Sequence, residues 1–331
     1  MADPPIGTPL VIGDQLVVAA AELEAYSKTN GSLVWHHRFD RYVPTALASD
    51  RERIFVAEAK IYALNIKDGE TVWQFTTEGN AALCSPVVLS GVLYVGTSTH
   101  KVFAFDAAHG TMLWSKDMEP GSKYPTVVTG IAGVDGEIFV SLHKWHTENG
   151  SESSGILYRL QAKTGDSVWR EEEYVQGEKR GFSSAPVITD RMVLISDFVN
   201  NSIFAIDRET GTGKWRFKGE RGFAGFSEPP HVDDGVVYGA SGDMFVYAID
   251  ISNGSMLWRT KMPGSNMGLE MCGGRILASY QRLALLDKRN GSILMKDAQP
   301  GHNLFISSKI AVENHTAFMA GPRGVYSFDC D

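Results

Sequence analysis

Short apolar runs, divided by turn-forming residues, recur along most of this chain. One unit reads Ser85-Pro86-Val87-Val88-Leu89, then Gly91-Val92-Leu93-Tyr94-Val95-Gly96, then Lys101-Val102-Phe103-Ala104-Phe105-Asp106. Runs of this length, rich in β-branched and aromatic residues and bounded by Gly, Asn, Asp and Ser, predict strands joined by hairpins. Similar units occur later in the chain, so the pattern predicts an all-β protein built from repeats.

Tryptophan marks the end of each repeat. Six phrases of the form Gly-x-x-x-Trp end at Trp35, Trp73, Trp114, Trp169, Trp215 and Trp258. A seventh phrase, 290–295, has Met295 in place of the tryptophan, and successive phrases are 37 to 55 residues apart. A period of about 40 residues matches the four-stranded blade of a propeller.

An eighth copy, covering 306–312, 316–320 and 324–329, stops before its Gly-x-x-x-Trp strand. The sequence therefore predicts a single domain over 1–331, an all-β, eight-bladed β-propeller of four-stranded antiparallel blades. The ring would close through a loosely held strand at 2–6 or through a three-stranded last blade, and the two prolines near the start are tolerable only on an edge strand. The blades are expected at about 8–38, 44–76, 84–117, 127–172, 183–218, 227–261, 267–297 and 304–331.

Packing explains the repeated residue types. Glycine accepts a positive φ in the turn between the third and fourth strands. Tryptophan on the outer strand offers a large surface, and its N–H can reach a carbonyl on the next blade. Small residues such as Ala63, Ala104, Ala205 and Ala248 allow close approach of adjacent sheets. We interpret the six tryptophans as structural docking residues rather than ligand contacts.

The phrase Ala-h-Asp-x-x-x-Gly-x-x-x-Trp (h, apolar), from Ala104 to Trp114 and from Ala248 to Trp258, resembles the tryptophan-docking, PQQ-like repeat of quinoprotein-like eight-bladed propellers. The resemblance covers nearly the whole chain. It implies one of two groups. The first contains the pyrroloquinoline quinone (PQQ) dehydrogenases, which hold the quinone over the central channel beside calcium. The second contains non-enzymatic propellers similar to the outer-membrane assembly lipoprotein, and accessory or sensor propellers of larger enzymes.

Departures from each group bear on function. No adjacent cysteine pair, calcium-ligand set or catalytic Asp is recognisable, which argues against the dehydrogenases. A lipidated N-terminal cysteine is also missing, and the first repeat, 23–27, has no Asp. The favoured hypothesis is a non-catalytic scaffold or binding propeller, without a cofactor, that engages a protein or peptide. The alternatives are a PQQ- and calcium-dependent dehydrogenase using the channel, or a ligand-sensing accessory domain.

The net charge and the cysteine content limit the classes of partner and site that the protein can have. The net charge is −8, which argues against nonspecific binding to nucleic acid or to anionic membranes. Cys84, Cys272 and Cys330 lie far apart without a CxxC motif, so neither a disulfide scaffold nor a zinc site is indicated. No apolar run is long enough to span a membrane, and the first residues do not resemble a signal peptide. Localisation stays open: periplasmic or extracytoplasmic if a leader was removed, otherwise cytoplasmic.

Candidate binding residues lie in the connections that open on one face of a propeller. Arginine followed by an aromatic recurs there and suggests a basic, aromatic-rimmed mouth for an acidic or extended peptide. The alternative is that the arginines pair with nearby acids such as Asp40, Glu178 and Glu220 while the aromatics plug the channel. The binding-face candidates are Arg41, Tyr42, Lys123, Tyr124, Trp145, Arg180, Phe182, Arg221, Phe223, Phe226 and His302.

An insertion at 144–154 carries Trp145, which is the one tryptophan outside the repeat phase. It predicts either a partner contact or a mobile hairpin with the indole folded onto the rim. His143 and His146 are three residues apart, but no third ligand follows at motif spacing, so no metal site is predicted.

Overall fold

The computed structural model describes residues 9–19, 22–39, 47–57, 60–77, 84–220, 224–264, 268–279, 283–296, 310–321 and 324–330. These residues form 31 strands in eight antiparallel sheets. First strands of neighbouring blades contact one another around most of the ring, including β29 with β1, so they surround a central channel. The prediction of an all-β, eight-bladed propeller is confirmed.

Each sheet follows the order of the chain from its innermost to its outermost strand. The strands of blades 1 to 4 are β1 Leu10–Ile12, β2 Gln15–Ala19, β3 Leu23–Ser27, β4 Leu33–His37, β5 Leu47–Ser49, β6 Arg53–Ala57, β7 Lys60–Asn65, β8 Thr71–Thr76, β9 Val87–Leu89, β10 Val92–Gly96, β11 Lys101–Asp106, β12 Met112–Asp117, β13 Thr126–Val134, β14 Glu137–Trp145, β15 Ser153–Gln161 and β16 Ser167–Glu173. The strands of blades 5 to 8 are β17 Val187–Ile188, β18 Met192–Asp197, β19 Ser202–Asp207, β20 Gly213–Lys218, β21 His231–Asp233, β22 Val236–Ala240, β23 Phe245–Asp250, β24 Met256–Lys261, β25 Gly268–Cys272, β26 Arg275–Ser279, β27 Leu283–Asp287, β28 Ile293–Lys296, β29 Ile310–Glu313, β30 Thr316–Gly321 and β31 Gly324–Asp329. Blade 8 thus has three described strands, and the expected closing strand at 2–6 lies outside the described residues.

Six tryptophans dock on the next blade in the same way. Each ring lies against the turn glycine of the next blade, where a Cβ would come within 2.5 to 3.0 Å of the indole. Each Nε1–H donates to the carbonyl three residues before that glycine, at 2.8 to 3.2 Å. We call the glycine and this carbonyl a docking socket. The pairs are Trp35 with Gly69, Trp73 with Gly110, Trp114 with Gly165, Trp169 with Gly211, Trp215 with Gly254 and Trp258 with Gly291.

Blades 7 and 8 are joined by a disulfide between Cys272 and Cys330. The sequence did not indicate this single bond, because its cysteines are 58 residues apart and are brought together only by the packing of adjacent blades. The Cys330 N–H donates to the His315 carbonyl at 2.9 Å, and the Arg275 guanidinium donates to the Cys330 carbonyl. The end of the last strand is therefore attached covalently to blade 7.

Blades 8 and 1 meet without a covalent link. Phe318 of blade 8 packs against Leu16 and Val18 of blade 1, and Lys28 forms an ion pair with Glu313. The described residues include no helix long and apolar enough to cross a membrane.

Candidate partner-binding face

Two kinds of connection emerge at the same end of the blades because successive strands alternate in direction. They are the links from an outer strand to the next inner strand and the turns between second and third strands. We call this end the loop face. Its longest described connections are 118–125, 146–152, 174–186 and 224–230.

Blade 4 projects above its neighbours on this face. Three of its strands, β13, β14 and β15, have nine residues each. The Trp145 ring at the tip of β14 stacks on His143, with centroids 4.3 Å apart and planes 12° from parallel. The indole is half-buried, as expected for the alternative in which it folds onto the rim.

A largely buried ion-pair network joins the connection 118–125 to three strands of blade 4. The Glu119 carboxylate accepts hydrogen bonds from Arg170 at 2.9 Å, Lys144 at 2.7 Å and the Tyr158 hydroxyl at 2.7 Å. Burial alone would raise the pKa of Glu119, but these hydrogen bonds outweigh it and lower the pKa to about 2. Blade 4 is therefore held by charges that compensate one another.

A second buried group lies between blades 4 and 5. Asp197 is fully buried, and its Oδ1 accepts the Asn200 N–H at 3.0 Å while Oδ2 has no hydrogen-bond partner. Burial raises the pKa of Asp197 to about 6. Burial has the opposite effect on a histidine, because it again disfavours the charged form, and it lowers the pKa of His143 to about 4. The backbone of Gly181 lies against the His143 ring. The loop face is rigidly packed at this point.

Asp197→Asn is expected to stabilise the protein at neutral pH. The folded-state pKa of about 6 exceeds the ordinary 3.8, so between these values the folded state retains a proton that the unfolded state releases. Wild-type stability therefore falls as the pH rises through this window, whereas Asn does not titrate. We expect the variant to gain up to about 3 kcal/mol at pH 7 and almost nothing at pH 4. Urea unfolding at both pH values measures the difference, and an equal effect at both would contradict the assignment.

Two aromatic candidates proved to be core residues. Phe182 is fully buried, in edge contact with Phe204 at 5.6 Å, and Phe226 packs against Tyr247 at 5.7 Å. The prediction that they contact a partner is corrected, because their rings fill the space between sheets. Lack of neighbouring apolar positions in the sequence made these loop aromatics look exposed.

Arg180 does not contribute a free positive charge. Its guanidinium pairs with Glu173 at 3.2 Å and Glu178 at 3.1 Å, and only 11% of the side chain is exposed. The alternative of local pairing therefore holds at Arg180, and the basic-mouth interpretation fails there. Lys123 is exposed, with Nζ 5.0 Å from the centroid of the half-buried Tyr124 ring. Arg41, Tyr42, Arg221, Phe223 and His302 lie outside the described residues.

Four large apolar side chains exposed on the loop-face connections of blades 4 and 5 were not predicted from the sequence. They are Tyr174, Val175, Phe198 and Val199, with exposed fractions of 37 to 42%. With Trp145 they form what we call the blade 4–5 patch. The sequence signal that could have revealed them is the pairing of two apolar residues, Tyr174-Val175 and Phe198-Val199, within otherwise polar connections.

Hydrogen bonds tie together the loops that carry the blade 4–5 patch. The Tyr174 ring packs on His146 at 4.4 Å, and its hydroxyl donates to Glu152 at 2.8 Å. The Asn200 amide donates to the Lys179 carbonyl at 2.6 Å, which joins the turn carrying Phe198 to the connection carrying Tyr174. These apolar groups are held in fixed positions before any partner arrives.

The central channel contains a cavity of about 680 Å³. Its described lining includes Glu228, His231 and Glu270, with His231 Nε2 3.8 Å from the Glu270 carboxylate, and burial lowers the pKa of His231. The described residues gather no group of three or more His, Cys, Asp or Glu side chains that could hold a metal ion. This described lining therefore does not fit the calcium that the quinone-binding alternative requires.

The eight-bladed fold and the docking sockets together define a quinoprotein-like, tryptophan-docking propeller. The chain belongs to the PQQ_2 family, described as outer membrane protein assembly factor BamB, whose model matches residues 19–201, 127–222 and 199–326.

Curated relatives come from both groups that the repeat resembles. The chain is 25% identical over 219 residues to outer membrane protein assembly factor BamB of Moranella endobia, covering 62% of this chain and 51% of that protein. It is 30% identical over 172 residues to quinohemoprotein alcohol dehydrogenase of Comamonas testosteroni, covering 48% and 23%. The chain therefore spans between a quarter and a half of these relatives' length.

Solved structures show the same fold. BamB from Moraxella catarrhalis matches with a TM-score of 0.74 at 15% identity, over 97% of this chain and 92% of that one. The Comamonas testosteroni quinohemoprotein alcohol dehydrogenase matches with a TM-score of 0.72 at 14% identity, over 98% and 71%.

Proposed function

We propose that this chain is a non-catalytic, protein-binding propeller whose partner docks on the blade 4–5 patch. The observation that carries the proposal is the set of large apolar side chains exposed on neighbouring connections that hydrogen bonds tie to one another. Loops on a rigid scaffold commonly carry binding, and aromatic anchors surrounded by polar groups are typical of interface centres. The assembly-factor relatives support a protein partner.

Surrounding charges indicate what the partner presents. Arg180 and Arg170 are paired with Glu173, Glu178 and Glu172, while Glu148 at the tip of the hairpin is exposed. These two arginines therefore give the patch no free positive charge, and it fits an apolar segment better than the acidic peptide expected from the arginines alone.

We also propose an extracytoplasmic location. Disulfides persist in oxidising compartments, and Cys272–Cys330 joins two blades where no tryptophan docks. The name of the assembly-factor relatives, which refers to the outer membrane, supports an extracytoplasmic compartment.

Site-specific photocrosslinking tests the docking face. A benzophenone amino acid at Val175 or Phe198, irradiated in the cells that produce the protein, should yield one shared covalent adduct. Leu113 and Leu257 on outer strands provide controls, since each is 52% exposed and lies away from the loop face. We expect the adduct to be at least about tenfold weaker at the control positions, because partner contacts concentrate at one patch. Equal adducts at all four positions, or none at Val175 and Phe198, would refute this docking face.

A further inference from the structure

An arginine directly follows the docking tryptophan in blades 4, 5 and 6. Because successive side chains of a strand point to opposite faces and the tryptophan faces the next blade, the arginine faces the preceding blade. In each blade it lies opposite an aromatic residue of the third strand. The three pairs are Arg170 with Tyr158, Arg216 with Phe204 and Arg259 with Tyr247.

In blades 4 and 6 a glutamate pairs with this arginine. The glutamate lies five residues after the docking tryptophan of the preceding blade. Glu119 accepts a hydrogen bond from Arg170 Nε at 2.9 Å and another from the Tyr158 hydroxyl at 2.7 Å, and Glu220 forms an ion pair with Arg259. Burial alone would lower the pKa of Arg170, but the hydrogen bond to Glu119 outweighs it and raises the pKa. The hydrogen bond to Glu220 likewise raises the pKa of Arg259.

Blade 5 lacks both polar partners of its arginine. The residue five positions after Trp169 is Tyr174 instead of a glutamate, and Phe204 stands where blades 4 and 6 have a tyrosine. The Arg216 guanidinium carbon lies 4.9 Å from the centroid of the Phe204 ring, and its Nε donates to the Ser202 hydroxyl at 3.0 Å. The side chain is half-buried, its terminal nitrogens are open to solvent, and no described carboxylate forms an ion pair with it.

The charges around Arg216 do not neutralise it. Burial and the positive charge of Arg180 lower its pKa, in contrast to the raised values in blades 4 and 6. Glu173 and Glu178 act on Arg216 only at a distance, because both are paired with Arg180. Asp197 also acts on it but is fully buried. An arginine remains protonated despite such a shift, so Arg216 holds a charge without a paired counter-ion.

Arg216 adjoins the blade 4–5 patch. Ser202, whose hydroxyl it binds, directly follows the turn that carries Phe198 and Val199. Tyr174 of the same patch holds the sequence position of the missing glutamate, and its hydroxyl donates to Glu152 instead. One unpaired positive charge therefore lies beside the exposed apolar side chains.

We propose that the partner of the blade 4–5 patch places an aspartate or glutamate carboxylate against Arg216, in the role that Glu119 and Glu220 have in the other two blades. The proposal rests on the docking face proposed above and adds what the partner must carry, which is one acidic side chain within an apolar segment. A planar guanidinium binds a carboxylate through charge-assisted hydrogen bonds of defined geometry. The contact therefore contributes specificity for partners with the acid at the correct place.

A small aromatic carboxylate tests the site directly. Phenylacetate carries a ring and a carboxylate, and phenylacetamide is its neutral counterpart. Ligand-observed NMR titrations of the full chain should show phenylacetate binding about fivefold more tightly than phenylacetamide. Arg216→Gln should abolish this preference, whereas Arg259→Gln should keep it, because Glu220 already occupies that guanidinium. Equal binding of both probes to the wild type, no binding of either, or a preference that survives Arg216→Gln would overturn the proposal.

Tyr174→Glu supplies the missing acid from within the chain, and Tyr174→Gln is its uncharged control. We expect the glutamate variant to have an unfolding equilibrium constant about fivefold smaller than the glutamine variant, because the new carboxylate pairs with Arg216. In the Arg216→Gln background the two variants should be equally stable in urea unfolding. Equal stability while Arg216 is present would show that no carboxylate is missing at this position.

The photocrosslink at Val175 separates this contact from the docking face. Arg216→Gln should weaken the adduct by at least about tenfold, the cost of leaving one partner of a charge pair unmatched, and Arg259→Gln should leave it unchanged. A full adduct in Arg216→Gln would overturn the carboxylate contact and leave the docking face in place. Absence of the adduct in the otherwise wild-type chain would refute the docking face and the carboxylate contact with it.

Discussion

Trp215→Ala should lower the free energy of unfolding by about 3 to 5 kcal/mol, the range for removing a large aromatic from a packed site. The indole lies on Gly254 of the next blade, and its N–H donates to the Ile251 carbonyl at 2.8 Å. Removing it leaves a cavity between two blades and an acceptor without its donor. Urea unfolding followed by circular dichroism measures the loss.

Met295→Ala provides the matched control. Met295 holds the equivalent position in blade 7 but is 46% exposed, and the described residues of blade 8 include no socket turn for it. We expect a change within about 0.5 kcal/mol, as for most surface substitutions. A large loss at Met295, or a small one at Trp215, would show that the sockets do not hold the blades together.

Reduction of Cys272–Cys330 should cost about 4 kcal/mol, the loop-entropy value for a closed loop of this length. Blade 7 has no docked tryptophan to hold blade 8, so the disulfide is the main clamp at that junction. Melting with and without a reductant measures the effect.

Two substitutions separate this effect from other thiol chemistry. Cys330→Ser should melt at the lower temperature whether or not reductant is present. Cys84→Ala, which removes the one free cysteine among the described residues, should keep the full response to reductant. A response that disappears in Cys84→Ala would assign the effect to the wrong cysteine.

The repeat could be predicted from sequence because its signals are local. Gly254 and Trp258 stand four residues apart, and each repeat contains the same turn and the same outer strand. Once consecutive repeats are taken to form adjacent blades, the partner of each docking tryptophan can be predicted from the local sequence alone. The number of blades and their strand order follow from that periodicity.

The site could be predicted only in part, because its residues depend on contacts between loops. Arg180 lies in the expected face, but its pairing with Glu173 across the connection removes its charge from the surface. Phe182 lies in a loop and is nevertheless buried against Phe204 of the next blade. The distance between Cys272 and Cys330 is likewise set by ring geometry, which sequence spacing does not encode.

Each docking tryptophan joins its own blade to the next one, and this arrangement has an evolutionary consequence. Since Trp169 docks on the turn at Gly211, at the opposite end of the blade from the loop face, blade 4 could acquire the insertion at 144–154 while its outer strand kept its place. A repeat built in this way can diversify its exposed connections independently of the other seven. Gene duplication and loop expansion can therefore produce new recognition surfaces without redesigning the ring.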